Sequence, residues 1–220
     1  MINRIVGFGD SWIHGDGLID WEQSKECWLY REQNCLIGQL AQCLGIEYDS
    51  ARVVNCDTSG GSLQSTVWDF AQWAQQQTHF DNTLLVIGLT ESSRQSWWRS
   101  NANYVHNHTV HPGHEWEAFV KHYHVHSNNQ NIWKMNYWTT TEFFHNWAVA
   151  NSVKLLMFNI FPAPFDSPHV TNPGWNVRGE LARLEHTVGN VTAPCKHPNK
   201  KGYHLLAKHL HQMLQSSILV

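Results

Sequence analysis

Charged side chains are scarce in this chain. Lys and Arg number 15, Asp and Glu 18, and together they make up only 15% of the 220 residues. The formal net charge is −3, which gives no electrostatic case for nucleic acid or an anionic membrane surface as partner. Long apolar runs are missing too, and none approaches the roughly 20 residues of a membrane-spanning helix. The five cysteines are an odd number without a CxxC pair; Cys27, Cys35 and Cys43 merely fall eight apart. That pattern argues against a disulfide framework and for free thiols in a reducing compartment. The opening residues carry no basic-then-apolar leader, so the expectation is a cytoplasmic protein, with any later particle assembly invisible at this level.

What is abundant is unusual. The chain holds 12 Trp and 16 His. Aromatic and imidazole groups thus cover surface that Lys and Glu ordinarily occupy, as in proteins that handle polar, uncharged molecules such as sugars. Packing in a virion or crystal-like particle produces the same bias, and a homo-oligomer is equally compatible.

Length and pattern predict one domain over residues 1–220. Ile5, Val6 and Phe8 form a short apolar run that stops at Gly9-Asp10-Ser11, with Gly15 and Gly17 close behind. A run followed by a Gly-rich turn reads as a buried strand and its loop. Residues 32–44 carry Leu36, Ile37, Leu40 and Leu44 at helical spacing and stop at Gly45. A second strand is expected at 51–55, a helix at 63–77, and a continuously apolar third strand at 83–87, the pattern of a strand covered on both faces. Three strand–loop–helix units in succession predict a parallel sheet in an α/β fold. From about residue 95 to 138 the pattern dissolves. Trp97, Trp98, Tyr104, Trp116, Tyr123, Trp133 and Trp138 alternate there with His and Asn. An insertion over the end of the sheet is expected, its aromatics serving either as stacking platforms or as ordinary packing. Thereafter a helix at 139–152 capped by Thr139–Thr141, a strand at 153–160, a helical stretch at 180–186 and a closing helix at 200–214 complete the chain.

Four loop blocks follow in order. They are Gly9-Asp10-Ser11; Asn55 with Ser59, Gly60 and Ser62; Gly88 with Thr90, Glu91 and Arg94; and His197-Pro198-Asn199 with Gly202 and Tyr203. In this order they resemble the blocks of the SGNH (GDSL-type) hydrolases, serine esterases and acylhydrolases, and the resemblance runs from residue 5 to about residue 207. It implies a three-layer α/β/α sandwich with a flavodoxin-like parallel sheet of four or five strands, and no cofactor. It also implies removal of a short acyl group, such as acetyl, from a carbohydrate or small ester. Carried over residue by residue, Ser11 is the nucleophile and His197 its base. The Ser11 and Gly60 N–H groups and Thr90 form the oxyanion hole, and Asp10, Trp12, Glu91 and Arg94 are candidates for the pocket wall. The loop at residues 12–17 also resembles SGNH-like proteins of bacteriophages.

The chemistry is consistent with those residue types. A serine hydroxyl is a poor nucleophile without an adjacent base, and a histidine can take its proton and return it to the leaving alcohol. Donors aimed at the oxyanion contribute roughly 3–4 kcal/mol each. The sequence departs from the family at two positions: Thr90 stands where the family has Asn, and Pro194 where it has the Asp three residues before the histidine. Loss of that carboxylate costs a triad enzyme about ten-thousand-fold in turnover. A backbone carbonyl, Asp16, Asp166, Glu180 or Glu185 is a candidate replacement. Glu91 and Arg94 read either as an ion pair shaping the pocket or as a solvated pair. Cys195 reads as a small buried thiol. The run His106, His108, His111, His114 and the run His122, His124, His126 lack Cys or carboxylate neighbours at zinc spacing, so no metal is expected. Two other classes stay open: a binding or virion protein that kept the scaffold, and a metal-dependent deacetylase built on those histidines.

Overall fold

Four strands, β1 (Arg4–Phe8), β2 (Val53–Asn55), β3 (Thr83–Leu89) and β6 (Lys154–Asn159), pair in parallel in the order β2-β1-β3-β6. The computed structural model describes residues 2–18, 25–55, 61–94, 96–98, 104–106, 117–118, 121 and 130–217. The helices that form the layers are α1 (Ser11–His14), α2 (Lys25–Asn34), α3 (Leu36–Cys43), α4 (Leu63–Gln75), α5 (Gln130–Ala150), α6 (Val177–Thr187) and α7 (Lys200–Ser217). A separate ribbon pairs β4 (Ser96–Trp98) antiparallel with β5 (Tyr104–His106).

Successive side chains of a strand point to opposite faces, so β1 and β3 feed two cores. Ile5, Leu84 and Val86 join Leu36, Ile37 and Leu40 of α3 and Leu206 and Leu210 of α7 on one side. Val6, Phe8, Leu85 and Ile87 meet Phe70 and Trp73 of α4 and Tyr137 and Phe144 of α5 on the other. Because helices cover both faces, every residue of β3 is buried. The chain is therefore a three-layer α/β/α sandwich with the expected flavodoxin-like order. The sheet runs one way from β1 to β2 and the other way from β1 to β3. The crevice beyond the carboxyl ends of β1 and β3 is thus the topological switch point, where open α/β sheets bind their ligands.

Three expectations are corrected. The single helix read at 32–44 is two, broken at Cys35, whose backbone is extended (φ −66°, ψ 175°). Gly38 permits the tight turn: a Cβ there would stand 2.7 Å from the Gln33 carbonyl oxygen. The helix expected from Thr139 begins at Gln130, inside the anticipated insertion. Thr139 does not cap it; its hydroxyl donates to the Met135 carbonyl at 2.9 Å, and that of Thr141 to Trp138 at 3.0 Å, both inside the helix. The aperiodic region also contains the β4–β5 ribbon. Among the described residues no helix is long and apolar enough to cross a membrane.

Candidate active site

The first site residue is placed by a helix cap. Asp10 is extended (φ −127°, ψ −160°), and its carboxylate accepts the Trp12 N–H at 3.0 Å. Ser11 is consequently the first residue of α1, directly past the carboxyl end of β1, and its backbone N–H has no carbonyl one turn earlier in the helix to bond. Its partner arrives from the far end of the chain. His197 Nε2 lies 2.8 Å from Ser11 Oγ, within hydrogen-bond reach across 186 sequence positions.

The loop bearing His197 is a tight turn. The Lys196 N–H donates to the Ala193 carbonyl at 2.9 Å, and the Ala193 N–H to the His197 carbonyl at 2.8 Å. Pro194 follows Ala193 with the φ that such a turn wants, and Lys196 takes up a left-handed φ of +69°. Two contacts hold this loop against the serine loop. Gly17 (φ +94°) comes so close that a Cβ would lie 2.9 Å from the Pro198 carbonyl oxygen and 3.1 Å from His197 Cβ. The Trp12 ring packs 5.4 Å from the His197 ring, centroid to centroid.

No acid completes a triad among the described residues. His197 Nδ1 is buried and has no hydrogen-bond partner there. None of the four candidate carboxylates bonds it. Asp16 accepts from the His14 ring at 2.8 Å, and Glu180 binds the Arg183 guanidinium at 2.7 and 2.9 Å. Glu185 takes the N–H groups of Asn190, Val191 and Thr192, and Asp166 is exposed.

Behind Ser11 stands a buried charge. Asp10 is fully buried, and its Oδ2 accepts the Thr90 hydroxyl at 2.6 Å and the Arg94 Nη1 at 3.0 Å. Burial raises its pKa above the usual aspartate value, against the lowering pull of Arg94, Thr90, the Trp12 N–H and His197. Arg94 therefore pairs inward with Asp10, not with Glu91, which is exposed. The Thr90 hydroxyl proton, expected to face an oxyanion, is directed at Asp10.

Ser11 and His197 open onto a cleft of about 720 Å³ lined also by Trp12, Arg94, Phe161, Arg178 and Lys196. Phe161 lies two residues past the end of β6 and could have been anticipated from that position. Arg178, in the first turn of α6, gave no local signal. Cys195, expected to be buried, is exposed at the rim of this cleft. Gly60, Ser59 and the histidines from 108 to 126 lie outside the described residues, as do Trp116 and Tyr123; of His106 only the backbone is described.

No protein-family model matches the chain, and no curated protein matches it by sequence. Among the solved structures that resemble it in fold are two hydrolase-related proteins. One is a carbohydrate esterase whose active site displays divergent catalytic and non-catalytic binding functions. It is 15% identical with a TM-score of 0.47, over 98% of this chain and 66% of that one. The other is a member of the lipolytic protein G-D-S-L family from Veillonella parvula, 12% identical with a TM-score of 0.39, over 93% of this chain and 94% of that one. The chain thus spans just under two thirds of the length of the carbohydrate esterase.

Proposed function

We propose that the protein is a serine ester hydrolase of the SGNH type that removes a short acyl group, such as acetyl, from a carbohydrate or other small ester. The observation that supports this reading is the 2.8 Å contact between Ser11 Oγ and His197 Nε2 at the switch-point cleft. Ser11 Oγ attacks the ester carbon while its proton passes to His197 Nε2. The tetrahedral oxyanion accepts the Ser11 N–H, with Gly60 N–H as the second donor. Collapse breaks the bond to the alcohol oxygen, which leaves with the proton from His197. Water then attacks the acyl-serine with His197 again as base, releasing the carboxylic acid and restoring Ser11.

Acceptance of the serine proton at Nε2 requires the ring's other proton on Nδ1. That donor is buried without an acceptor among the described residues. A buried donor left unmade costs about 1–3 kcal/mol, so the productive tautomer is disfavoured and turnover is expected to be slow. The same observation favours a second reading, a binding or virion protein that kept the scaffold without its chemistry.

One experiment separates the two. 4-Nitrophenyl acetate and an acetylated glycan are offered to the wild type, Ser11→Ala and His197→Ala, in parallel with labelling by a fluorophosphonate. Hydrolysis and labelling by the wild type alone support the hydrolase. Wild-type turnover no faster than that of Ser11→Ala removes it and leaves the binding protein.

A further inference from the structure

The hydrolytic steps leave two cations of the cleft unused. Arg178 and Lys196 line the same cleft as Ser11 and His197. The Arg178 side chain is exposed to it, and its guanidinium lies over the Phe161 ring, 5.6 Å from the centroid. No carboxylate of the described residues lies within ion-pair reach of Arg178 or Lys196. Arg94 makes the contrast plain. It stands over the same ring at 5.1 Å, yet its charge is committed to the buried Asp10 at 3.0 Å.

Two acids also line the cleft, and both are engaged in their own loops. Both oxygens of Glu185 accept N–H groups from residues 190–192, and Asp16 accepts from the His14 ring. They therefore do not neutralise Arg178, although their charge tempers the pull of the cleft on a doubly charged anion. A guanidinium held over an aromatic face keeps part of its orientation, and its fork of donors matches the two oxygens of a carboxylate.

We propose that the substrate of this site is an ester that also carries a carboxylate, held by the Arg178 guanidinium with Lys196 as the second cation of the cleft. The chemical class is an O-acylated sugar acid or hydroxy acid, or the half-ester of a dicarboxylic acid. This assignment rests on the serine-hydrolase reading for its turnover, although the carboxylate subsite itself is a matter of binding.

The test uses two matched pairs: 4-acetoxybenzoate against its methyl ester, and 4-nitrophenyl hydrogen succinate against 4-nitrophenyl butyrate. Wild-type kcat/KM is expected to favour the anionic member of at least one pair, through KM, with the preference fading as salt is added. In Arg178→Gln the ratio of anionic to neutral kcat/KM should fall about tenfold or more, in line with loss of a hydrogen-bonded charge partner. Arg178→Lys should keep part of it. Calorimetric titration of the Ser11→Ala protein with the same four compounds reads the subsite without chemistry. Preferential binding of an anionic ester that Arg178→Gln abolishes supports the subsite even if the wild type hydrolyses nothing, in which case only the hydrolase reading falls. Equal handling of both members of both pairs, or an unchanged ratio in Arg178→Gln, overturns the subsite and leaves the hydrolase reading intact.

Discussion

At the scale of single residues, the site is governed by which polar atoms are already spent. The Thr90 hydroxyl donates to Asp10 at 2.6 Å, and Arg94 balances the same carboxylate. Thr90→Val leaves that buried acid one donor short, so it is expected to lose about 1–3 kcal/mol in chemical denaturation. Its kcat should fall by less than the roughly hundredfold that follows removal of an oxyanion donor. A hundredfold loss of kcat at unchanged stability would return Thr90 to the oxyanion hole. His197 Nδ1 presents the opposite case, a buried atom with no hydrogen-bond partner among the described residues. Pro194→Asp places a carboxylate three residues before the histidine. It is expected to raise kcat/KM at least about tenfold, a small part of the ten-thousand-fold that a triad carboxylate is worth. The expected cost is about 0.4–1 kcal/mol of stability, because the proline no longer restrains the unfolded chain. Steady-state kinetics and a thermal melt on one preparation check both halves.

At the scale of elements, the histidine loop hangs from α6. Glu185 receives the backbone N–H groups of Asn190, Val191 and Thr192 and the Thr192 hydroxyl at 2.9–3.1 Å. Those bonds, that from Val191 foremost, lower its pKa below the ordinary glutamate value. A depressed folded-state pKa contributes stability that is complete above the unfolded value and is lost as pH falls through the folded one. The loop at residues 190–197 is therefore expected to loosen as the solution is acidified below the ordinary glutamate range. Amide exchange at Val191 and Thr192 should accelerate there, after correction for intrinsic rates, while in Glu185→Gln it should be fast already at neutral pH and insensitive to acid. The broken helix at Cys35 and the early start of α5 belong to this scale as well. Helical spacing of Leu36, Ile37, Leu40 and Leu44 reports which residues face the core, but not that the chain turns at Cys35 before reaching them.

At the scale of the whole molecule, the site exists because the last helix returns to the first loop. α7 packs on α3, and the buried Tyr203 hydroxyl donates to the Asp16 carbonyl at 3.0 Å, tying the histidine end of the chain to the serine end. Tyr203→Phe removes that tie at nearly constant volume. The expected loss is about 0.5–1.5 kcal/mol of stability. A larger proportional fall in kcat should accompany it, since a misplacement of about 1 Å between reacting groups can cost a hundredfold. Denaturant unfolding and kcat measured side by side check this; a stability loss with kcat intact would show that the two ends are aligned by other contacts.

The sequence alone was enough for the four strands of the parallel sheet and for the α/β class, but not for the β4–β5 ribbon. Apolar runs that end in glycine-bearing loops depend on local patterning, which the chain displays residue by residue. Ser11, His197 and the pocket position of Arg94 were legible because each sits in a short block at a strand end or before a helix. What tertiary structure decided is which partners those blocks meet. The 2.8 Å approach of residues 186 positions apart, the inward turn of Arg94 to Asp10, the exposure of Cys195 and the arrival of Arg178 from α6 all depend on packing between distant elements. So does the unpaired state of His197 Nδ1: Pro194 stands where the resembled family has an acid, but only the folded chain shows that none of Asp16, Asp166, Glu180 and Glu185 bonds that nitrogen. Periodicity encodes which face of an element is buried; the pairing of polar atoms across elements is set by three-dimensional distance, which no spacing along the chain records.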